Sequence, residues 1–216
     1  MSRVRVHNFS ISLDGYGTGD GQNLEAPFGH AGMRLHEWFF PTRTFREMQG
    51  EPGGSTGVDN AFASQWTPGI GTEIMGRNKF GPQRGPWVDE EWRGWWGDDP
   101  PFHVPVFVLT HHARETKPMK GETTFTFVTD GIESAFEQAQ AVAGEKNVAI
   151  AGGANVVQQY LKAGLLDELQ IHVAPLFLGG GVRLFEDHVG AQPPEVEAVR
   201  VVESPAVTHL KYRVVR

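Results

Sequence analysis

An α/β fold with a mostly parallel sheet is predicted by three features of this 216-residue chain. Strand-like and helix-like segments alternate from Thr123 to Ala174, the order produced when crossover helices link parallel strands. The run Pro105 to Thr110 is almost unbroken in its apolar character, as in a strand covered on both faces. Two further strand-like segments end in glycine beside cations or a helix start, at Gly76 and at Gly152-Gly153.

Each element follows from local pattern. Val4 to Leu13 alternates as a first strand, with a one-residue break between Val6 and Phe9. Asp14 to Gly32 is glycine-rich and polar, a long loop. Met33 to Phe40 suits a short helix ended by Pro41, residues 42–57 read as irregular, and Thr56-Gly57-Val58-Asp59 offers a capping pattern for a second short helix. Thr72 to Met75 is a short strand. Residues 81–104 form a Trp-, Gly- and Pro-rich loop holding Trp87, Trp92, Trp95 and Trp96, four of the six tryptophans. A loop of that length is expected to wall or cover a pocket, or to make a dimer contact beside one. Thr123 to Thr129 is a strand. Asp130, with Glu133 as capping-box partner, starts the strongest helix, in which Ile132, Ala135, Phe136 and Ala139 recur at helical spacing before Gly144. Val148 to Ala151, a helix after Gly153, Leu169 to Ala174 and Val207 to Val215 complete the pattern. No internal repeat or second core is evident, so residues 1–216 are expected to form one domain.

Composition excludes several classes. The net charge of −7 argues against a general nucleic-acid binder, while leaving room for a local cationic pocket. There is no cysteine, hence no disulfide, thiolate metal site or thiol nucleophile. Apolar runs are too short to span a bilayer, and the N-terminus lacks the apolar centre of a signal peptide, so a cytoplasmic location is expected.

Three strand ends carry chemistry suited to phosphate. Gly152-Gly153 before a helix combines close backbone approach with exposed N–H groups. Met75-Gly76-Arg77-Asn78-Lys79 places two cations after a strand, and Leu109-Thr110-His111-His112 ends a buried strand in polar groups. Each alone is also compatible with an ordinary turn; their coincidence is the signal.

These segments, with Ser12-Leu13-Asp14-Gly15, Leu165-Leu166-Asp167-Glu168-Leu169 and Gly179-Gly180-Gly181, resemble the dihydrofolate reductase superfamily. The resemblance is closer to the branch containing the reductase domain of bacterial riboflavin biosynthesis. It implies a three-layer αβα domain with an antiparallel C-terminal strand, a homodimer, and NADPH as the cofactor for reducing a pterin-, pyrimidinone- or flavin-like ring. By the same resemblance, Gly76 and Arg77 would meet the adenosine-side phosphates. Arg77, Thr110, His111 and His112 would surround the ribose 2′-phosphate. Gly152, Gly153, Ala154 and Asn155 would hold the pyrophosphate. Lys79 stands where the family commonly has a hydroxyl residue.

Proton supply is less legible. The family's pocket carboxylate has no clear counterpart in Met33 to Phe40, where Glu37 is the nearest acid, and this disfavours ordinary dihydrofolate reduction. His172, inside a strand, can donate near neutral pH or be a satisfied core residue. Asp14 suits fixing the first loop as well as chemistry. Three alternatives stand beside the reductase: a nucleotide-binding protein without activity, a flavin- or deazaflavin-dependent enzyme, and a metal-assisted hydrolase built on His103, His111 and His112. The last lacks any recognised metal motif, so no metal is expected.

Overall fold

Residues 2–185 and 194–215 are described by a computed structural model. The chain begins with β1 (Val4–Ser12), β2 (Tyr16–Thr18), a 3-10 turn (Gly32–His36) and two short helices, α1 (Arg43–Met48) and α2 (Val58–Ala63). Next come β3 (Ile70–Gly76), the one-turn α3 (Arg77–Phe80), β4 (Pro105–Leu109), β5 (Lys117–Pro118) and β6 (Thr124–Val128). The alternating part is α4 (Ile132–Ala143), β7 (Asn147–Gly152), α5 (Ala154–Lys162) and β8 (Glu168–Ala174). It is followed by β9 (Val182–Arg183), β10 (Val196–Glu203) and β11 (Thr208–Val214).

Nine of these strands form one sheet in the order β10-β11-β8-β1-β7-β3-β4-β6-β5. Pairings from β8 through to β6 are parallel, whereas β11 runs antiparallel to β8 and β10 to β11. The expected parallel α/β sheet with an antiparallel C-terminal strand is therefore present. Helices α4 and α5 cover one face; the 3-10 turn packs on β1 and β8 from the other. No helix among the described residues is long and apolar enough to cross a membrane.

The α4/α5 face is dry. Val6, Ile74 and Ile150 project from the sheet into Ala135, Ala139, Val157 and Tyr160. The alanines of α4 let it approach closely, and Gly71 permits this, since a Cβ there would lie 2.9 Å from the Ala143 backbone. Thr72 Oγ1 donates to the Ala139 carbonyl (3.2 Å), and the Tyr160 hydroxyl donates to the Ile132 carbonyl (2.8 Å). Each fully buried aliphatic side chain contributes about 1.5–3 kcal/mol. The opposite face is mixed. At one end Met75, Phe80, Phe102 and Phe125 pack with Trp66, Trp87, Trp92 and Trp96. At the other it buries His7, Ser10, Gln170, His172 and His209.

The break expected in β1 is a bulge. Its register against β8 shifts between Val6 and Phe9, and Asn8 takes a positive φ of 51°. The bulge keeps Phe9 and Ile11 on the apolar face while Ser10 and Ser12 are buried on the other.

Four expectations are corrected. Residues 43–48 are helical, not irregular, because the Thr42 side chain caps them by accepting from the Phe45 N–H (3.2 Å). Helix α4 is not capped by Asp130: the cap is Gly131 at φ 93° with no side-chain hydrogen bond, and the Asp130 carboxylate accepts from Thr129 Oγ1 instead. Likewise α2 starts after Gly57 without a side-chain cap. Strand β10 escaped notice because it is an edge strand exposed along nearly its whole length, so it carries no period-2 pattern.

The buried histidines make stability depend on pH. His7 is 8% exposed, and burial, reinforced by the Arg5 charge, lowers its pKa from 6.5 to about 4. The folded pKa lies below the unfolded one, so this contribution is intact above about pH 6.5 and is lost as pH falls toward 4. The full shift corresponds to about 3 kcal/mol. Urea midpoints are expected to drop between pH 7 and pH 5, and His7→Asn to flatten that slope. A variant with the unaltered slope would show that His7 is not a source of it.

Candidate active site

A cleft of about 730 Å³ opens over the carboxyl ends of β3, β4 and β7 and the middle of β1. These four strands are neighbours in the sheet, and such a location is where open α/β sheets take ligands. The cleft gathers all ten residues singled out as cofactor contacts: Gly76, Arg77, Lys79, Thr110, His111, His112, Gly152, Gly153, Ala154 and Asn155.

The glycines make the floor. A Cβ on Gly76 would lie 2.9 Å from Val156 Cγ2, so the end of β3 closes directly on α5. A Cβ on Gly153 would meet nothing within 4 Å, because that position faces open space. Helix α5 starts just after it, and N–H groups in its first turn have no preceding helical carbonyl to bond.

Arg77 makes the cationic wall. Its Nη1 donates to Thr110 Oγ1 at 3.5 Å, while Nε and Nη2 are buried with no partner among the described residues. Burial lowers the Arg77 pKa, and the nearby charges of Arg84 and Arg114 lower it further. Arg84 also lines the cleft. Among the described residues, no Asp or Glu lines the cleft. Lys79 lines the middle of the cleft, close to Gly152. Beneath it Glu73 is fully buried in β3; burial raises its pKa to about 7, against the opposing pull of the Lys79 charge.

The other half of the cleft is formed by Phe9, Phe28, His36, Trp95 and Trp96. Residues 81–104 thus supply part of the wall through two of their tryptophans. His36 is the residue that sequence reading passed over. Its ring packs 4.3 Å from Phe28, and its Nε2 is buried without a partner. Burial, and then Lys79, lower its pKa to about 4, so the imidazole is neutral at pH 7. Its neighbour Glu37 drew attention as the nearest acid, but the 3-10 turn points that side chain into solvent beside Arg34 (3.4 Å).

Neither Asp14 nor His172 lines the cleft. Asp14 accepts from the Leu178 and Gly179 N–H groups (3.1 and 2.8 Å), pinning the β1–β2 turn to the segment after β8. The Ser12 hydroxyl, and then these N–H groups, hold its carboxyl at about 2. His172 is fully buried and reaches the cleft only through Asn8, which does line it. The Asn8 Oδ1 lies 3.0 Å from His172 Nε2 and accepts from Gln170 Nε2 at 3.1 Å. His172 Nε2 is therefore the protonated nitrogen, and His172 Nδ1 accepts from His209 Nδ1 (2.7 Å). His209 Nε2 meets Asp59 Oδ1 at 2.9 Å, with a proton held between them. Burial, and then His209, keep the His172 pKa well below its ordinary value.

Among the described residues no three His, Asp or Glu side chains gather as metal ligands. His103 instead bonds the Gly121 carbonyl (2.7 Å).

The sequence profile of the RibD C-terminal domain matches residues 5–210. The chain belongs to that family. This RibD C-terminal domain is thus a reductase-type domain related to riboflavin biosynthesis. It shares its fold with a riboflavin-biosynthesis-type protein of Shewanella sp. PV-4 (21% identity, all of both chains, TM-score 0.65). A pyrimidine reductase-like protein of Corynebacterium diphtheriae is similar over all of this chain and 92% of its own (14% identity, TM-score 0.55). Dihydrofolate reductase of Enterococcus faecalis, solved in complex with NADP(H) and RAB-propyl, matches 99% of this chain and 96% of its own (14% identity, TM-score 0.51). No curated protein sequence matches.

His172→Ala leaves the Asn8 carbonyl and the His209 N–H without their partner and is expected to cost about 2 kcal/mol of stability. Glu37→Ala, at an exposed site, should stay within about 0.5 kcal/mol. Denaturant titration of both variants separates them; equal effects would contradict these placements.

Proposed function

We propose that this RibD C-terminal domain is an NADPH-dependent reductase of a small heterocyclic substrate. The observation that carries the reading is the pair of buried Arg77 donors that, among the described residues, have no partner and share the wall of the cleft with no carboxylate. A phosphate fits them: a planar guanidinium presents two parallel N–H groups to such an anion. Gly152, Gly153 and the start of α5 fit a pyrophosphate, since open space at Gly153 allows close approach and helical N–H groups favour negative charge.

When bound, NADPH supplies the hydride. The chain's own residues would then hold the dinucleotide along the ends of β3, β4 and β7. They would also exclude water with Trp95, Trp96 and Phe28, and present Asn8, His36 and Lys79 to the acceptor. The aromatic half of the cleft suits a flat ring. With no carboxylate among the described lining residues, ordinary dihydrofolate reduction is disfavoured. The proposal takes residues 1–216 as one domain, supported by a sheet that joins strands from both ends of the chain. It includes a homodimer, supported by exposed Val196, Val199 and Val201 on the edge strand β10.

Calorimetric titration of the unaltered protein with NADPH and NADH tests the reading: NADPH should bind more tightly, and equal affinity would contradict it. Arg77→Ala is expected to weaken NADPH about ten- to a hundred-fold and NADH little. Gly153→Val should remain folded and fail to bind NADPH, because the branched side chain enters the open space now facing the cleft. A folded Gly153→Val protein with undiminished affinity would make Gly152-Gly153 a packing turn.

A further inference from the structure

Arg77 is held in part by residues behind the cleft wall, Trp87 and Arg114. Its guanidinium carbon sits 3.6 Å from the centroid of the Trp87 ring, a direct cation–π stack. Arg114 lies 4.6 Å from the same ring. The Trp87 indole N–H donates to the His112 carbonyl (2.9 Å), and the His112 N–H donates to Thr110 Oγ1 (3.2 Å), the same hydroxyl that Arg77 Nη1 reaches. Arg114 has a fully buried side chain, tied by its Nη2 to the Trp92 carbonyl (2.7 Å) and placed beside Glu90. Trp87 itself does not line the cleft.

Two arginines against one indole, with Arg84 nearby, is an unfavourable collection of like charges unless something compensates. The ring quadrupole compensates in part. It also fixes the plane of the Arg77 guanidinium, so that Nε and Nη2, which have no protein partner, keep a defined direction. A long side chain free to rotate would pay ordering entropy each time it met an anion. Held by Trp87, Arg77 has met that cost beforehand.

We infer that Trp87 is a positioning residue for cofactor choice, acting through the face of its indole to preset Arg77 for the 2′-phosphate that distinguishes NADPH from NADH. This rests on the proposed function, whose own failure is separable. Nothing in residues 81–104 read as sequence distinguishes Trp87 from its three neighbours; the stack with Arg77 does.

The test compares Kd for NADPH and for NADH, with thermal unfolding of the ligand-free protein, for the unaltered chain, Trp87→Leu and Trp87→Phe. Trp87→Leu is expected to cut the NADPH-over-NADH preference about tenfold while moving the NADH Kd less than about threefold. Trp87→Phe keeps a smaller ring face and should lose only part of the preference; it carries the test alone if Trp87→Leu does not fold. A variant that loses both cofactors equally, or retains the full preference, overturns the inference and leaves Trp87 a packing residue. No preference in the unaltered protein overturns the cofactor reading itself, and the inference with it.

Discussion

The constraint on which the site depends is the concentration of positive charge at the ends of β3 and β4. Arg77, Arg84 and Arg114 converge there in a chain of net charge −7, and two Arg77 donors are buried with no acceptor. A buried donor without a partner costs about 1–3 kcal/mol, more when it is charged. The surrounding protein bears part of that cost: Trp87 stacks on Arg77, the Glu90 carboxylate and the Trp92 carbonyl lie against Arg114, and Gly153, just after β7, faces open space. The fold sets up this geometry by ending parallel strands β1, β7, β3 and β4 side by side at one rim.

The two halves of the cleft differ in how they are stabilised. The cationic half is fixed by the stacking of Arg77 and Arg114 on Trp87, which comes from the long segment 81–104. The aromatic half rests on a polar layer, in which Asn8 is oriented by His172 and Gln170, and His172 in turn by His209 and Asp59. Trp38 closes that layer, donating through its indole to Ser10 Oγ (3.0 Å) and packing against both histidines. Each of these links joins a donor to an acceptor, which offsets much of the cost of burying polar groups on one face of the sheet. The same layer ties cleft geometry to pH, since His172 must stay neutral to accept from His209.

Much of this was legible in sequence where the signal is local. Crossover alternation identified the parallel sheet, and three strand ends, read with the family resemblance, pointed to the ten residues that line one cleft. The legible part ended where geometry depends on partners distant in sequence. His172 read as a donor in a strand, yet its environment is set by Asn8 and His209, 164 and 37 residues away. Glu37 was the visible acid, but one step of a 3-10 turn decides that His36 faces the cleft instead. Asp130 and Glu133 have the capping-box spacing, and a glycine at positive φ replaced them. Trp87 could not be separated from Trp92, Trp95 or Trp96, since composition does not say which ring an arginine will meet.

The central claim is that the Arg77 donors receive a 2′-phosphate. Phosphorus NMR of NADPH bound to the protein tests it most directly, because a phosphate monoester dianion in solution takes up a proton at about pH 6. Contact with a fixed guanidinium is expected to shift the 2′-phosphate resonance and keep it dianionic at least one pH unit (about tenfold in proton affinity) below that point. A bound cofactor whose 2′-phosphate titrates as it does in free solution would contradict the account.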